Sequence, residues 1–407
     1  MLDATRLSPV LANYQEIFRI AGAFRFSLAG FVARIHLSMD RLALLFIVVH
    51  KTGSYGLAGL MVATASIVIT IAQPYWARAA DKHGQGRVLY VNTILRFVSF
   101  TIFILLVQFD FPIWTWFLSI VIAESNTINA GSLVRRRWVN VLPNPHLKTT
   151  AYSFEALVDE IIFVFGPLLA TFLATYVSPI SCLLASMAFV VIGQPALAKL
   201  RDSEPKVLKN KESSSSPNIL KRKSAQAIIL PIFFVGGYFG SVGIVVVAFA
   251  NKMGTPEISG VLLAIWALGS AISALLNGIF GMRFLPARTF IYSLLFMLLM
   301  SMGLLFAEST IFLGVTLFLN GIGISPLLVN AFATMEQEVS EDELTEAMTW
   351  VTTGTPTGGA IGSAIAGQVI DNFGVSQGFF IPVITLFLAN LALLPYIREW
   401  HRLRSRP

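Results

Sequence analysis

Arg34, His36, Asp40 and Arg41 stand in one long apolar stretch of the sequence, and Arg96 stands in a second. Glu124 with Asn126 and Asn129 occupies a third, and Glu155, Asp159 and Glu160 a fourth. Ionisable groups set in hydrophobic sequence are expensive to bury and persist where they pair with one another or line a polar cavity. Two kinds of chemistry suit them. A carboxylate withdrawn from water can carry a proton, and acids interleaved with guanidinium groups can hold a charged solute. At about 1.5 Å per helical residue, Asp40 and Arg41 lie about two-thirds of the way along their stretch and Glu124 near the middle of its own. By depth Asp40, Arg41 and Glu124 come first among the candidates for such proton or solute chemistry, with Arg34 and Asn126 beside them. Glu155 and Asp159 are four residues apart and share a helical face. Their depth matches that of Arg34, so a structural pair with Arg34 is expected; with Glu160 they complete the candidate set. His36, beside Arg34 in the same stretch, reads as a hydrogen-bonded spacer.

Other chemistries are poorly served. The histidines, His36, His50, His83, His146 and His401, fall in separate segments, and Cys182 is the only cysteine. No metal centre or nucleophile–base pair is expected from them. The phosphate-binding pattern G-x-x-x-x-G-K-[ST] is absent, which argues against ATP-driven work by this chain. No cofactor is expected; a proton gradient is the expected energy source.

The elements that must position these residues are membrane helices. The chain has 407 residues, 55% hydrophobic and 13% charged, with mean hydropathy +0.73, whereas soluble domains carry about 25% charged residues. Apolar stretches near the bilayer-spanning length of about 20 residues are read at about 26–49, 56–77, 88–109, 113–134, 152–177 and 180–199. A second set follows at about 228–250, 258–281, 287–306, 310–333, 346–370 and 376–397. The resulting fold class is an all-α membrane protein of twelve transmembrane helices, arranged as two six-helix bundles related by pseudo-two-fold symmetry. Its expected domains are an amphipathic cytoplasmic N-terminus (1–25), a first bundle (26–199), a Ser- and Lys-rich linker (200–226), a second bundle (227–397) and a basic tail (398–407). Residues 1–25 lack the apolar core of a signal peptide, so the first span is expected to act as its own insertion signal.

The net charge of +7 has a membrane explanation. Arg78, Lys82, Arg87, Arg135 to Arg137, Lys148, the stretch from Lys199 to Lys223, Arg283, Arg288 and the tail arginines fall on one side, and Lys51 and Lys252 on the other. By the positive-inside rule both termini are cytoplasmic. A plasma-membrane monomer that meets the lipid bilayer and a small-molecule substrate, with no nucleic-acid partner, is expected.

The halves resemble each other. A shift of 201 superposes Lys51 on Lys252, Gly53 on Gly254, Gly59 on Gly260 and Arg87 on Arg288; a shift of 196 brings Ala151 and Gly166 onto Ala347 and Gly362. Duplication of a helical bundle leaves this kind of trace.

Between the second and third spans, ARAADKHGQGRVL, from Ala77 to Leu89, resembles the loop motif G-x-L-a-D-r-x-G-r-[RK] of the major facilitator superfamily. Asp81, Lys82 and Gly84 match it; Ala77, Gln85 and Gly86 depart from it, and Arg87 falls one place late. In the fifth span, Gly166-Pro167 resembles the Gly-Pro motif of many exporters of that superfamily, with fewer glycines than the full pattern. The resemblance implies a central cavity lined by the first and fourth helices, rocking of the two bundles and proton-coupled efflux; import or uniport on the same fold is the alternative, and a membrane-embedded sensor or enzyme a third reading. It also implies that Asp81 engages the start of the eleventh helix in one state. There Glu336, Glu338, Glu341, Asp342, Glu343 and Glu346 offer partners for the basic loop residues, or simply a solvated face. Pro167 and its counterpart stripe from Gly354 to Gly367, with Pro356, suit helices that bend and approach closely.

Overall fold

The computed structural model describes residues 15–142, 144–206, 222–280, 285–339 and 341–403. The first fourteen residues, most of the linker and the end of the tail lie outside them. Among the described residues all regular structure is helical, and the helices line up as twelve rods. In chain order they are α1 (Ala23–Arg34), α2 (His36–Thr52), α3 (Tyr55–His83), α4 (Gln85–Gln108), α5 (Ile113–Glu124), α6 (Ala130–Val141), α7 (Pro145–Tyr176) and α8 (Pro179–Lys199). Then come α9 (Lys223–Lys252), α10 (Ile258–Phe280), α11 (Pro286–Ser301), α12 (Thr310–Ile322), α13 (Ile324–Glu338), α14 (Glu341–Phe373), α15 (Val375–Gly378) and α16 (Phe380–Leu403). The pairs α1/α2, α5/α6, α12/α13 and α15/α16 are single rods with an interruption.

Nine segments among the described residues are long and apolar enough to cross a bilayer unaided. The rods that fall short are the first and fourth, which are broken, and the eleventh, α14, which is rich in Gly and Thr. The fourth rod breaks where Ser125, Asn126, Thr127 and Asn129 offer side-chain hydrogen bonds that compete with the helical ladder. Asn126 Nδ2 donates to the Ile122 carbonyl at 2.8 Å, and Asn129 Oδ1 caps α6 by accepting from Ser132 N at 3.1 Å. In the first rod the turn tightens at Ile35, whose N–H reaches Val32 O at 3.4 Å while Ser38 Oγ donates to Ile35 O at 3.0 Å. Both interruptions fall beside ionisable residues.

The chain forms two compact units. The first comprises Met1–Asp40, Ile71–Gly166 and Ile180–Glu212. At one end of it Trp138 is fully buried, with the Phe26 and Phe18 rings edge-on at 4.7 and 6.0 Å. Gly193 lets α8 touch the main chain of Ala33, where any Cβ would collide.

The second unit comprises Arg41–Thr70, Pro167–Pro179 and Ser213–Pro407. Its seam joins α9 to α14 backbone against backbone: a Cβ at Gly236, Gly240, Gly358 or Gly362 would overlap main-chain atoms of the facing helix. Such close approach substitutes van der Waals contact for the hydrophobic drive that lipid removes. Gly358→Val is expected to cost about 1–3 kcal/mol by forcing the helices apart. Gly354→Ala, whose Cβ would rest 3.7 Å from Ile232, is expected to be neutral; thermal unfolding in detergent separates the two.

The internal repeat is also visible inside this unit. A Cβ at Gly59 would meet the Ser363 carbonyl, and one at Gly260 the Pro167 carbonyl. Gly59 and Gly260 differ by 201, Pro167 and Ser363 by 196, the two shifts found in the sequence.

Candidate functional site

Inside the first unit, α2, α4, the α5–α6 break and α8 bring four ionisable side chains together. Arg96 Nη2 donates to Asp40 Oδ2 at 2.5 Å and Nη1 to Glu124 Oε2 at 3.3 Å, with a further bond from Nη1 to Thr127 Oγ1. Thr127 Oγ1 donates to Glu124 Oε2 at 2.6 Å, and Ser186 Oγ donates to Asp40 Oδ1. His36, one turn before Asp40, places Nδ1 2.7 Å from Asp40 Oδ2. Arg96 Nη2 also lies 3.3 Å from that Nδ1; in the neutral tautomer that gives its Nδ1 proton to Asp40, Nε2 is the acceptor end of the ring. That Nε2 is buried and has no hydrogen-bond partner among the described residues. The Phe100 ring covers the guanidinium at 4.7 Å. His36 and Glu124 are 1% exposed, Arg96 2% and Asp40 6%.

With neutral His36, this cluster sets two carboxylates against one guanidinium. It carries one negative charge too many for its surroundings. A single added proton restores neutrality, and the cluster has two places for it: Glu124, held by Arg96 only at the longer distance, and the open His36 Nε2.

A second cluster lies on α1, α6 and α7. Arg34 donates to Glu155 Oε2 at 2.5 Å, to Asp159 Oδ1 at 2.9 Å and to the Gly30 carbonyl at 3.0 Å. Trp138 Nε1 and Ser27 Oγ fill Glu155 Oε1 at 2.7 and 3.0 Å, and Arg135 donates to Asp159 Oδ2 at 2.6 Å. Two cations meet two anions here. The charge is balanced and Glu155 is fully served, so this group clamps three helices.

The loop motif is built into the first unit as well. Asp81 pairs with Arg136. Gly84 takes φ +89° at the start of α4, a conformation that favours glycine. The positions that depart from the motif have their own use: Gln85 Oε1 accepts from Arg137 Nε at 2.8 Å, and Gly86 N–H donates to Glu204 Oε1 at 2.9 Å. Arg137 also reaches Leu200 O at 2.7 Å and Ser203 Oγ at 2.9 Å. Burial lowers its guanidinium to about 10 while Glu204 opposes the shift, so it stays charged at neutral pH. Lys82 and Arg87 are exposed. In the second unit, Glu338 and Glu346 are half-buried and Glu336 is exposed, and the side chains of Glu341, Asp342 and Glu343 lie outside the described residues.

Of the candidates read from sequence, Asp40 and Glu124 come together, and Arg34, Glu155 and Asp159 form the separate clamp. Arg41 is exposed, as successive residues on a helix point about 100° apart, and the cation paired with Asp40 is Arg96. Asn126 bonds back to its own turn, and its carbonyl accepts from Asn92 Nδ2 at 2.9 Å. Glu160 is half-buried on α7. Gly166 faces Ser38 so closely that a Cβ would overlap its side chain, and the neighbouring Pro167 carbonyl lies against Gly260. Thr127 and Ser186 join the cluster through their hydroxyls, and His36, expected as a spacer, is one of its members. The three-residue step from Glu124 to Thr127 and the four-residue step from His36 to Asp40 are the signals that mark two of them.

The Major Facilitator Superfamily model matches residues 26–256 and 227–406. No curated protein matches the sequence. Among solved structures, the chain is similar to a mutant of the nucleoside transporter NupG, with TM-score 0.74 and 13% identity over 92% of this chain and 99% of that one. A bacterial homologue of the iron transporter ferroportin in an inward-facing state gives 0.70 and 15% over 93% and 99%. The human organic anion transporter TETRAN gives 0.61 and 14% over 91% and 98%. At these identities the likeness is one of fold.

Proposed function

The chain belongs to the major facilitator superfamily and is a multi-pass membrane transporter of a small solute, and from that premise we propose that protons bound at the His36–Asp40–Arg96–Glu124 cluster drive it. The observation that carries this reading is the uneven charge of the cluster beside the balanced charge of the Arg34 clamp. Both lie in the same unit, and with His36 neutral only one of them needs a proton to balance its charge. Near-complete burial of all four side chains also argues that the solute does not touch them: this is a coupling site, and the solute binds elsewhere.

The mechanism follows from the distances. Asp40 is held by Arg96, His36 and Ser186, whereas Glu124 has Arg96 at 3.3 Å and the Thr127 hydroxyl. Protonation of Glu124 removes its pull on Arg96, and the guanidinium settles on Asp40. The α2–α4 contact then tightens while α4 and the broken fourth rod part, which changes how the first rod leans. Gly166, seated on Ser38 two residues from Asp40, passes that movement to the fifth rod, and the Gly-Pro pair there supports outward transport in exchange for inward protons. The chain works as a monomer in the plasma membrane with both termini cytoplasmic and without a nucleic-acid partner. Its bundles are 26–199 and 227–397, joined by the linker 200–226 and flanked by the segments 1–25 and 398–407.

The test is transport by purified protein in liposomes under an imposed pH gradient. Nucleosides, organic anions and iron, for which the structural relatives are named, are the first solutes to offer. Glu124→Gln is expected to reduce gradient-driven transport to the level of empty liposomes while solute exchange without a gradient survives. Gradient-driven transport that persists in full in both Glu124→Gln and Asp40→Asn refutes the assignment.

A further inference from the structure

Asp371 lies in the last turn of α14, where a carboxylate opposes the dipole of its own helix. Its hydrogen bonds explain why it is there. Oδ1 accepts from Tyr55 N–H at 2.8 Å, and Oδ2 accepts from Gly56 N–H at 2.8 Å and from Ser54 Oγ at 2.5 Å. Tyr55 and Gly56 are the first two residues of α3, whose opening N–H groups have no partner within their own helix. Ser54 Oγ fills the third by accepting from Leu57 N–H at 3.0 Å. A helix in one half of the chain is therefore capped by a side chain more than three hundred residues away in the other half. Gly56 makes room for this, since a Cβ there would meet Gln368 and Asp371 at 2.6 and 2.8 Å. Asn251, at the end of α9, adds a bond to the Tyr55 hydroxyl at 2.7 Å.

The repeat supplies a built-in comparison. The related contact, α10 against residues 167–179, has the same glycine approach at Gly260, but the facing segment 167–179 contains no carboxylate: Ile258 and Ser259 donate to Thr255 and Pro256 within their own turn. Thr171 Oγ1 and Thr255 Oγ1 there are buried without partners among the described residues. Close packing occurs at both contacts, and the charged bond at one.

We propose that Asp371 is a latch that holds the outer ends of α3 and α14 together, and that its release from Ser54, Tyr55 and Gly56 is the step that opens this end to the outside. The inference rests on the transporter reading and on the orientation that puts Lys51 and Lys252 outside; it makes no use of protons or cargo.

Two measurements on the full chain in lipid nanodiscs test it. Hydrogen exchange read by mass spectrometry is expected to quicken about tenfold at Tyr55 and Gly56 in Asp371→Asn, the effect of losing one charged hydrogen bond, while Ile258 and Ser259 stay unchanged. Unchanged exchange at Tyr55 and Gly56 overturns the latch. For opening, Ser363→Cys places a thiol at the buried Gly59 contact; the native Cys182 is fully buried. A membrane-impermeant maleimide is expected to label that thiol several-fold faster when Asp371→Asn is added. Faster exchange with unchanged labelling would show Asp371 to be a helix cap and no gate, and would overturn the proposal. Since neither arm uses a gradient, failure here is separate from failure of the Glu124 test.

Discussion

Arg96→Met is expected to unfold the first unit or lower its thermal midpoint steeply, with a loss of about 3–5 kcal/mol, the usual cost of removing one partner from a buried ion group. The variant leaves Asp40 and Glu124 facing each other without a cation, both nearly fully buried. Methionine matches the stem of arginine and can rest on Phe100, so packing contributes little to the loss. Neutralising the acids as well, in Arg96→Met/Asp40→Asn/Glu124→Gln, is expected to recover most of the stability, since apolar or neutral replacements of buried ion groups are often tolerated. It is not expected to recover gradient-driven transport. Thermal unfolding in detergent together with the liposome assay checks both halves of the claim: stability that stays low in the triple variant means that Arg96 acts through something other than charge.

Glu155→Leu is expected to do comparable damage at the other cluster. It removes the acceptor of Arg34, Ser27 and Trp138 in one step. Asp159 remains for Arg34, but it is 31% exposed and already serves Arg135. The expected cost is again about 3–5 kcal/mol. Arg135→Ala, at the 36% exposed rim, is expected to cost less than about 1 kcal/mol. The double variant Arg34→Met/Glu155→Leu is expected to regain much of the difference. Denaturant unfolding of the parent, Arg34→Met, Glu155→Leu and the double variant measures the coupling directly, and additive losses from Arg34 and Glu155 would mean that the two do not act as a pair.

The rods were legible because hydropathy alone decides what can lie in lipid, and the duplication because glycines at helix contacts keep their spacing. The nearness of Arg34 to Glu155 and Asp159 was also legible, since depth and a four-residue step are one-dimensional quantities. What pairs with Asp40 was not. Arg41 is its neighbour in the chain, yet helical rotation sends it elsewhere, and the cation that arrives comes from α4. Nor does composition announce the break at 125–129 within an apolar span, because short polar runs also occur in unbroken helices. The bond from Asp371 to the start of α3 depends wholly on how distant helices meet. A lone acid in a helical last turn is its only trace in the sequence.

The charged first rod has a consequence for biogenesis. Arg34, His36, Asp40 and Arg41 leave the ribosome before every partner described for them on another rod. Asp40 awaits Arg96, 56 residues later, and Arg34 awaits Asp159, 125 residues later. At about 5–20 residues per second those intervals last about 3–11 and 6–25 s. Over that time each charge near the middle of the rod costs about 2.5–3.5 kcal/mol in lipid. The first rod is therefore expected to stay beside the insertion machinery until the third and fifth arrive, so that the first half enters the bilayer as a group of helices; crosslinking of stalled nascent chains of increasing length to the insertion machinery measures this.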